Sequence, residues 1–221
     1  MKMLRLLVLV ALAGCQAEGA RSAFESDPQG WTDLFPDREL RGWKRLNLDP
    51  KAKQRVWGLS EDGKVLQIDA RNGVKEDLLY DQEFVNGIYH VEWRWSKDQG
   101  EKPNFNGGIY VRASADAKTW VQAQVARQQP KGPLVGDIIE LIPADPQPRR
   151  VDVYQKGPSR EAPVGEWNTY EITCRGNSVT VWVNGGVTAS IDDCPMAKGR
   201  VGLQAEFALY EVRTIKYKPL P

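Results

Sequence analysis

Four short stretches of this chain put chemistry-bearing side chains at every second position. In IYHVEWRW (88–95), Ile88, His90, Glu92 and Arg94 share one side, and Tyr89, Val91, Trp93 and Trp95 share the other. In 120–126, Trp120, Gln122 and Gln124 oppose Val121, Ala123 and Val125. Tyr110 and Arg112 oppose Ile109 and Val111, and Gln204 and Glu206 oppose Leu203 and Ala205. A period of two belongs to strands, with one side in a core and the other presented. An ordinary solvated side shows Lys, Ser and Thr; these sides show Gln, Arg, Glu, Trp and Tyr instead. Aromatic rings can cover the C–H face of a sugar while planar amides and guanidinium groups bond its hydroxyls. Ligand sites combine apolar walls with a few placed polar groups in this way. A carbohydrate site and a plain solvated face both remain open on composition alone.

Other chemistries find little support. His90 is the only histidine; it shares a side with Glu92 and is a candidate acid or base. There is no His/Cys cluster for zinc, so no metal ligand is assigned. Nucleophile-elbow, phosphate-loop and dinucleotide patterns are also lacking.

The elements that must position these side chains are strands. Residues 87–95, 108–114, 120–126, 167–174, 178–184, 200–206 and 210–218 read as strands separated by Gly, Pro, Asn and Asp. Asn184-Gly185 between apolar stretches is a strong hairpin signal. Long amphipathic helical patterns are lacking, which argues for an all-β sandwich or barrel. Residues 128–163, rich in Pro, Arg, Gln and Asp, read as a long excursion over a sheet edge or face. Such long loops are disproportionately functional.

The chain has 221 residues, with 8 Trp, 7 Tyr and 5 Phe, and 30 basic against 29 acidic side chains. This near balance does not suit a nucleic-acid partner, which usually shows a basic domain or stripe. Residues 1–14 have the order of a bacterial secretory signal: Lys2 and Arg5, then an apolar run from Leu6 to Ala13. Leu12-Ala13-Gly14-Cys15 resembles a lipobox, which implies cleavage before Cys15 and lipid on its sulfur. Residues 15–30 then read as a lipidated tether and 31–221 as one domain, long enough for its own core. The expected location is the bacterial cell envelope, lipid-anchored on the periplasmic or extracellular face. In that oxidising setting Cys174 and Cys194 are a possible disulfide, worth roughly 3 kcal/mol in the chain-entropy model. Two free buried thiols are the alternative.

Five ordered segments carry a family resemblance: LFPDRELRGW (34–43), DGKVL (62–66), EWR (92–94), NGGIYVR (106–112), and a C-terminal set. That set comprises GEWNTYEI (165–172), VWVNG (181–185), GLQ (202–204) and EVRTIK (211–216). Together they resemble the 3-keto-disaccharide hydrolase family, also described as 3-keto-glucoside 1,2-lyase/3-keto-2-hydroxy-glucal hydratase domains. The resemblance implies a concanavalin-like jelly-roll β-sandwich acting on sugars already oxidised at C3. A C3 ketone acidifies the C2 proton, so a base removes it, the C1 oxygen leaves, and water then adds. That route needs a base, an acid and a group to hold the enolate charge.

Residue by residue, the resemblance implies site roles for Glu92, Arg94, Asn106, Arg112, Gln124, Gln204 and Arg213. Two departures stand out. Gln122 occupies a position where many members have Glu, and Ala205-Glu206-Phe207 stands where many have Asp-His-Gly. Glu206 is therefore the first candidate for general base, with Glu92 and Arg112 as further catalytic candidates. Arg94, Asn106, Tyr110, Trp120, Gln122, Gln124, Gln204 and Arg213 are substrate-binding candidates. Glu92 and Arg94 equally suit an ion pair between strands, Arg112 and Arg213 a salt bridge, and Tyr110 and Trp120 packing against 128–163. The resemblance leaves room for a divalent cation, with loop carboxylates Asp137 and Asp145 as candidate ligands. The implied partners are a 3-keto oligosaccharide or glycoside, the membrane through the N-terminal lipid, and a sugar oxidoreductase that supplies the keto sugar. A non-catalytic carbohydrate-binding module of the same fold is the alternative function, and a structural or adhesive lipoprotein a third.

Overall fold

The computed structural model describes residues 20–50, 55–101, 103–127, 134–155 and 157–221. Residues 1–14, read as a signal peptide, and Cys15 lie outside the described residues. Among those described, no helix is long and apolar enough to cross a membrane.

Among the described residues, fifteen strands form two antiparallel sheets, with alternation rather than propensity setting which side each buries. In chain order they are β1 (Thr32–Asp33), β2 (Trp43–Leu46), β3 (Trp57–Leu59), β4 (Leu66–Asp69), β5 (Lys75–Tyr80), β6 (Gly87–Trp95), β7 (Asn106–Ala113) and β8 (Trp120–Ala126). They continue as β9 (Ile138–Ile142), β10 (Arg149–Val153), β11 (Asn168–Arg175), β12 (Ser178–Val183), β13 (Gly186–Ile191), β14 (Arg200–Glu206) and β15 (Leu209–Pro219). One sheet runs β13-β12-β11-β6-β15-β4-β3, with β1 also on β15; the other runs β10-β9-β8-β7-β14-β5-β2. The chain is thus a single-domain jelly-roll sandwich, as its resemblance implied.

The two inner sides interdigitate. Tyr89, Val91, Trp93 and Trp95 of β6 meet Ile109, Val111, Val121, Ala123 and Leu203 of the opposing sheet, all essentially inaccessible. Trp93 packs edge-on against both Trp95 and Tyr170, at 5.2 and 5.5 Å between centroids, a favoured aromatic geometry. The β12–β13 hairpin turns on Asn184 and Gly185, both at positive φ (41° and 98°). That is the backbone the Asn-Gly pair favours.

Two sequence expectations change here. Residues 128–163 are not simply a loop: β9 and β10 form a hairpin that extends the seven-stranded sheet beyond β8. Residues 128–133 and 156 of that stretch lie outside the described residues. The tether is also docked from Ala20 onward. Ser22 caps a one-turn helix, α1 (Ala23–Ser26), in a capping box with Glu25. The amides of Ala23 and Phe24 donate to Glu171 on the outer side of β11. Phe24 lies 4.8 Å from the His90 ring.

Candidate functional site

Register assembles the polar side of the seven-stranded sheet. Tyr110 faces Gln122 and Gly108 faces Gln124 across β7 and β8. On β14, Gln204 faces Gly108 on one flank and Asp77 on the other, and Glu206 faces Lys75. Gln122 faces Ile139 of β9, which faces Asp152 of β10. Cross-strand partners share a side, so these residues converge opposite the core. On this side a cleft of about 270 Å³ is lined by Asn106, Trp120, Gln122, Gln124, Ile139, Arg150, Gln204 and Glu206.

The floor is a directed chain of amides. Gln122 Nε2 donates to Gln124 Oε1, Gln124 Nε2 to Asn106 Oδ1 at 2.7 Å, and Asn106 Nδ2 to Glu206 Oε2 at 2.8 Å. An ionised carboxylate only accepts, so Glu206 orients every amide behind it. Gln122 Nε2 also reaches Gln204 Oε1 at 3.0 Å and the Gly107 carbonyl at 3.2 Å. Its neighbours are thus three acceptors, which calls for a donor at position 122 and accounts for Gln there in place of Glu. Gly108 makes room for it: a Cβ at that position would stand 2.1 Å from Gln122 Nε2.

Glu206 is held from two directions, since Lys75 Nζ forms an ion pair with Oε1. Asp77, two residues along β5, is buried and accepts from Tyr110 Oη at 3.0 Å and from Asn47 Nδ2. Burial pushes the Asp77 carboxyl up; the Asn47 and Tyr110 bonds oppose the rise, and the charges of Glu206 and Glu76 add to it.

Asn106, Tyr110, Trp120, Gln122, Gln124, Gln204 and Glu206 are therefore brought to one side, and four sequence candidates are not. Glu92, Arg94 and Arg213 belong to β6 and β15 of the other sheet and point out from the opposite side of the sandwich. There Arg213 grips Glu92 with two bonds of 3.0 Å, Arg94 pairs with Glu211, and both guanidinium groups lie 4.4 Å from the Trp167 ring centroid. These are contacts that hold the sheet. Arg112 has φ 54°, and β7 shifts register against β14 beside it, which reverses the alternation. Its side chain turns into the interior, where Nη1 donates to the Met196 carbonyl, and Nε and Nη2 have no partner among the described residues. Tyr110 is on the site side but buried, stacked 4.9 Å from Trp120, so it supports Trp120 rather than offering a sugar platform.

His90 is also on the far sheet, 3.2 Å from Glu171. Cys174 and Cys194 are free buried thiols, not a disulfide: Cys194 Sγ lies against the Met196 carbonyl, and burial pushes the Cys174 thiol up to about 11. Asp137 is spent on the amides of Leu134 and Gln155, each at 2.8 Å, and Asp145 is exposed. Among the described residues, no group of three or more His, Cys, Asp or Glu could hold a metal ion.

Lys75, Asp77, Ile139 and Arg150 are site residues the sequence did not reveal. Lys75 to Tyr80 has no usable alternation, because four consecutive residues are buried. Arg150 and Ile139 sat in the stretch read as an excursion.

A family model described as a 3-keto-alpha-glucoside-1,2-lyase-like domain matches residues 30–218. A search among curated proteins gave no match. Among solved structures, a carbohydrate binding module, CBM66 from Bacillus subtilis, superposes with a TM-score of 0.59 at 16% identity, covering 80% of this chain and 95% of that one. Winged bean acidic lectin, complexed with methyl-alpha-D-galactose, gives 0.54 at 12% identity over 85% and 96%. The kappa-carrageenase from Pseudoalteromonas carrageenovora, complexed with an oligotetrasaccharide of kappa-carrageenan, gives 0.55 at 10% over 86% and 93%. At these identities the likeness is one of fold.

Proposed function

The chain belongs to the 3-keto-alpha-glucoside-1,2-lyase-like domain family, and from that premise we propose that it cleaves 3-keto-glycosides in the cleft of the seven-stranded sheet. The observation that carries this reading is Glu206, a carboxylate clamped by Asn106 and Lys75 at the end of an amide floor. With the keto sugar on Gln122 and Gln124, Glu206 takes the C2 proton. The C2–H electron pair becomes the enolate, whose negative charge falls near Lys75. Collapse of the enolate forms the C1–C2 double bond and expels the C1 oxygen, which takes up a proton. Asp77, whose carboxyl burial pushes up, is the second carboxyl that would supply that proton. Water added across C1–C2 then completes a net hydrolysis. Trp120, stacked on Tyr110, supplies the apolar wall.

On this reading an oxidoreductase that converts a sugar C3 hydroxyl to a ketone must act first. The signal-like residues 1–14 and Cys15 support placing the protein in the bacterial envelope, held by lipid.

One observation favours a second reading, a carbohydrate-binding module: Glu206 is the only carboxylate among the described cleft-lining residues. The two separate in one assay, in which the full chain, purified in detergent, meets methyl 3-keto-α-glucoside and its unoxidised parent. Cleavage of the keto sugar alone supports the proposal. Cleavage of the parent replaces it with ordinary glycoside hydrolysis, and binding without cleavage replaces it with the module.

A further inference from the structure

Beside the Glu206 cleft lies a second one, of about 720 Å³, lined by Arg71, Gly73, Gln99, Glu101, Asn104 and Phe207. Its size falls within the roughly 300–1,000 Å³ typical of small-molecule sites. The two adjoin at a single peptide, because Glu206 lines one and Phe207 the other. Phe207 has φ 62° in a tight turn closed by the Ala208 amide on the Glu206 carbonyl at 2.9 Å. A bulky residue rarely adopts this left-handed backbone, and glycine would fit it freely. Strain kept at the mouth of a cleft is a pointer to function.

The ring is half-buried. Lys75 Nζ stands 4.7 Å over its centroid and at the same time pairs with Glu206. Gly73, at φ 83°, lies in contact range beneath the ring: a Cβ there would make ordinary contact with Phe207 Cε1 at 3.7 Å. The walls are set. The Gln99 amide is spent on the carbonyls of Ser96 and Leu209 and on the Leu209 amide, and Arg71 is forked onto Asp69 and Asp98. Glu101 and Asn104 are exposed at the rim. A flat apolar ring with rim carboxylate and amide groups is the chemistry of a pyranose subsite.

We propose that this cleft is the leaving-group subsite, with Phe207 as the platform for the second pyranose ring of an α-linked 3-keto-disaccharide. The inference rests on the function proposed above: the keto ring lies over Gln122 and Gln124, the bond to be broken lies at Glu206, and the second ring crosses onto Phe207. Phe207 is then a specificity residue that a substrate with a small leaving group does not use.

The test compares wild type, Phe207→Gly and Phe207→Trp, each as the full chain in detergent, on 3-keto-trehalose and on methyl 3-keto-α-glucoside. Phe207→Gly should lose about tenfold in kcat/KM on the disaccharide, mostly through KM, the scale of one lost ring contact. It should stay within about twofold on the methyl glycoside, with an unchanged or higher melting temperature, because glycine relieves the turn. Phe207→Trp should retain the preference for the disaccharide. Equal losses on both substrates, or an unchanged disaccharide rate, would overturn the subsite. If wild type cleaves neither substrate, the catalytic reading has failed, and calorimetric titration with the same two sugars judges the subsite alone. Tighter binding of the disaccharide, lost in Phe207→Gly, sustains it, and equal binding rejects it.

Discussion

Replacing Gln122 by Glu would put a carboxylate where the amide stands, and the amide floor predicts that this chain rejects it. Gln122 Nε2 donates to Gln124 Oε1, Gln204 Oε1 and the Gly107 carbonyl. A carboxylate there would face three acceptors. Turning the Gln124 and Asn106 amides over does not help, because Asn106 Oδ1 would then face Glu206. At least one acceptor–acceptor contact survives in either arrangement. Gln122 is about 2% exposed, so water does not dissipate the charge. An unpaired buried charge costs about 3 to 5 kcal/mol, or the group keeps its proton and its folded pKa rises. A pKa raised above the unfolded value of about 4.3 means stability is retained at low pH and lost as pH rises through the folded value. The variant should therefore melt roughly 6 to 20 °C below wild type at pH 7.5, at about 2 to 4 °C per kcal/mol for a chain of this size, and the gap should shrink toward pH 4. Thermal melts of both proteins from pH 4 to 8 read this directly. A deficit that does not change with pH, or none at all, would refute the donor chain.

Other perturbations separate the two faces of the sandwich. Gly108→Ala should displace the Gln122 amide, which its Cβ would meet at 2.1 Å, and cut affinity for a keto sugar by an order of magnitude or more; adding Gln122→Ala should recover the lost stability, and simple additivity in melts would count against the contact. Glu92→Ala, on the far sheet, should leave keto-sugar turnover within about twofold and cost about 1 kcal/mol or less, because its Arg213 pair is partly exposed; a hundredfold loss of turnover would restore Glu92 to the site. Asp77→Asn should lower turnover yet leave the fold as stable or more so at pH 7.5. Burial raises the Asp77 carboxyl, so its ionisation costs stability as pH rises through the folded value. Melts in which the variant is less stable at pH 7.5 than at pH 5, relative to wild type, would reverse that sign.

Where the chain alternates, its side chains could be read correctly. The bounds of β6, β8 and β14 match the sequence reading, and Gln122, Gln124, Gln204 and Glu206 fall on one side because β8 and the 202–206 part of β14 keep a period of two across residues 106–110 of β7. Alternation states which side of its own strand a residue occupies, but not which sheet the strand joins. Glu92, Arg94 and Arg213 stand apart from the cleft for that reason, since β6 and β15 pair with each other in the opposite sheet. Arg112 was lost to a backbone event, a left-handed residue that breaks the period. Asp77 stayed hidden because Glu76 and Asp77 are both buried, one bonded by Trp57 and Arg45 on the core side and the other by Tyr110 and Asn47 on the site side. Adjacent acids in a buried strand carry no periodic signal.

Proton exchange at C2 is the most direct test of the central claim, that Glu206 abstracts that proton from a 3-keto-glycoside. The full chain in detergent and its Glu206→Gln variant would be incubated with methyl 3-keto-α-glucoside in D2O and followed by NMR against a protein-free control. The account predicts cleavage with deuterium at C2 of the product for wild type, and loss of both in the variant. Cleavage that retains hydrogen at C2, or an unaffected variant, would contradict it.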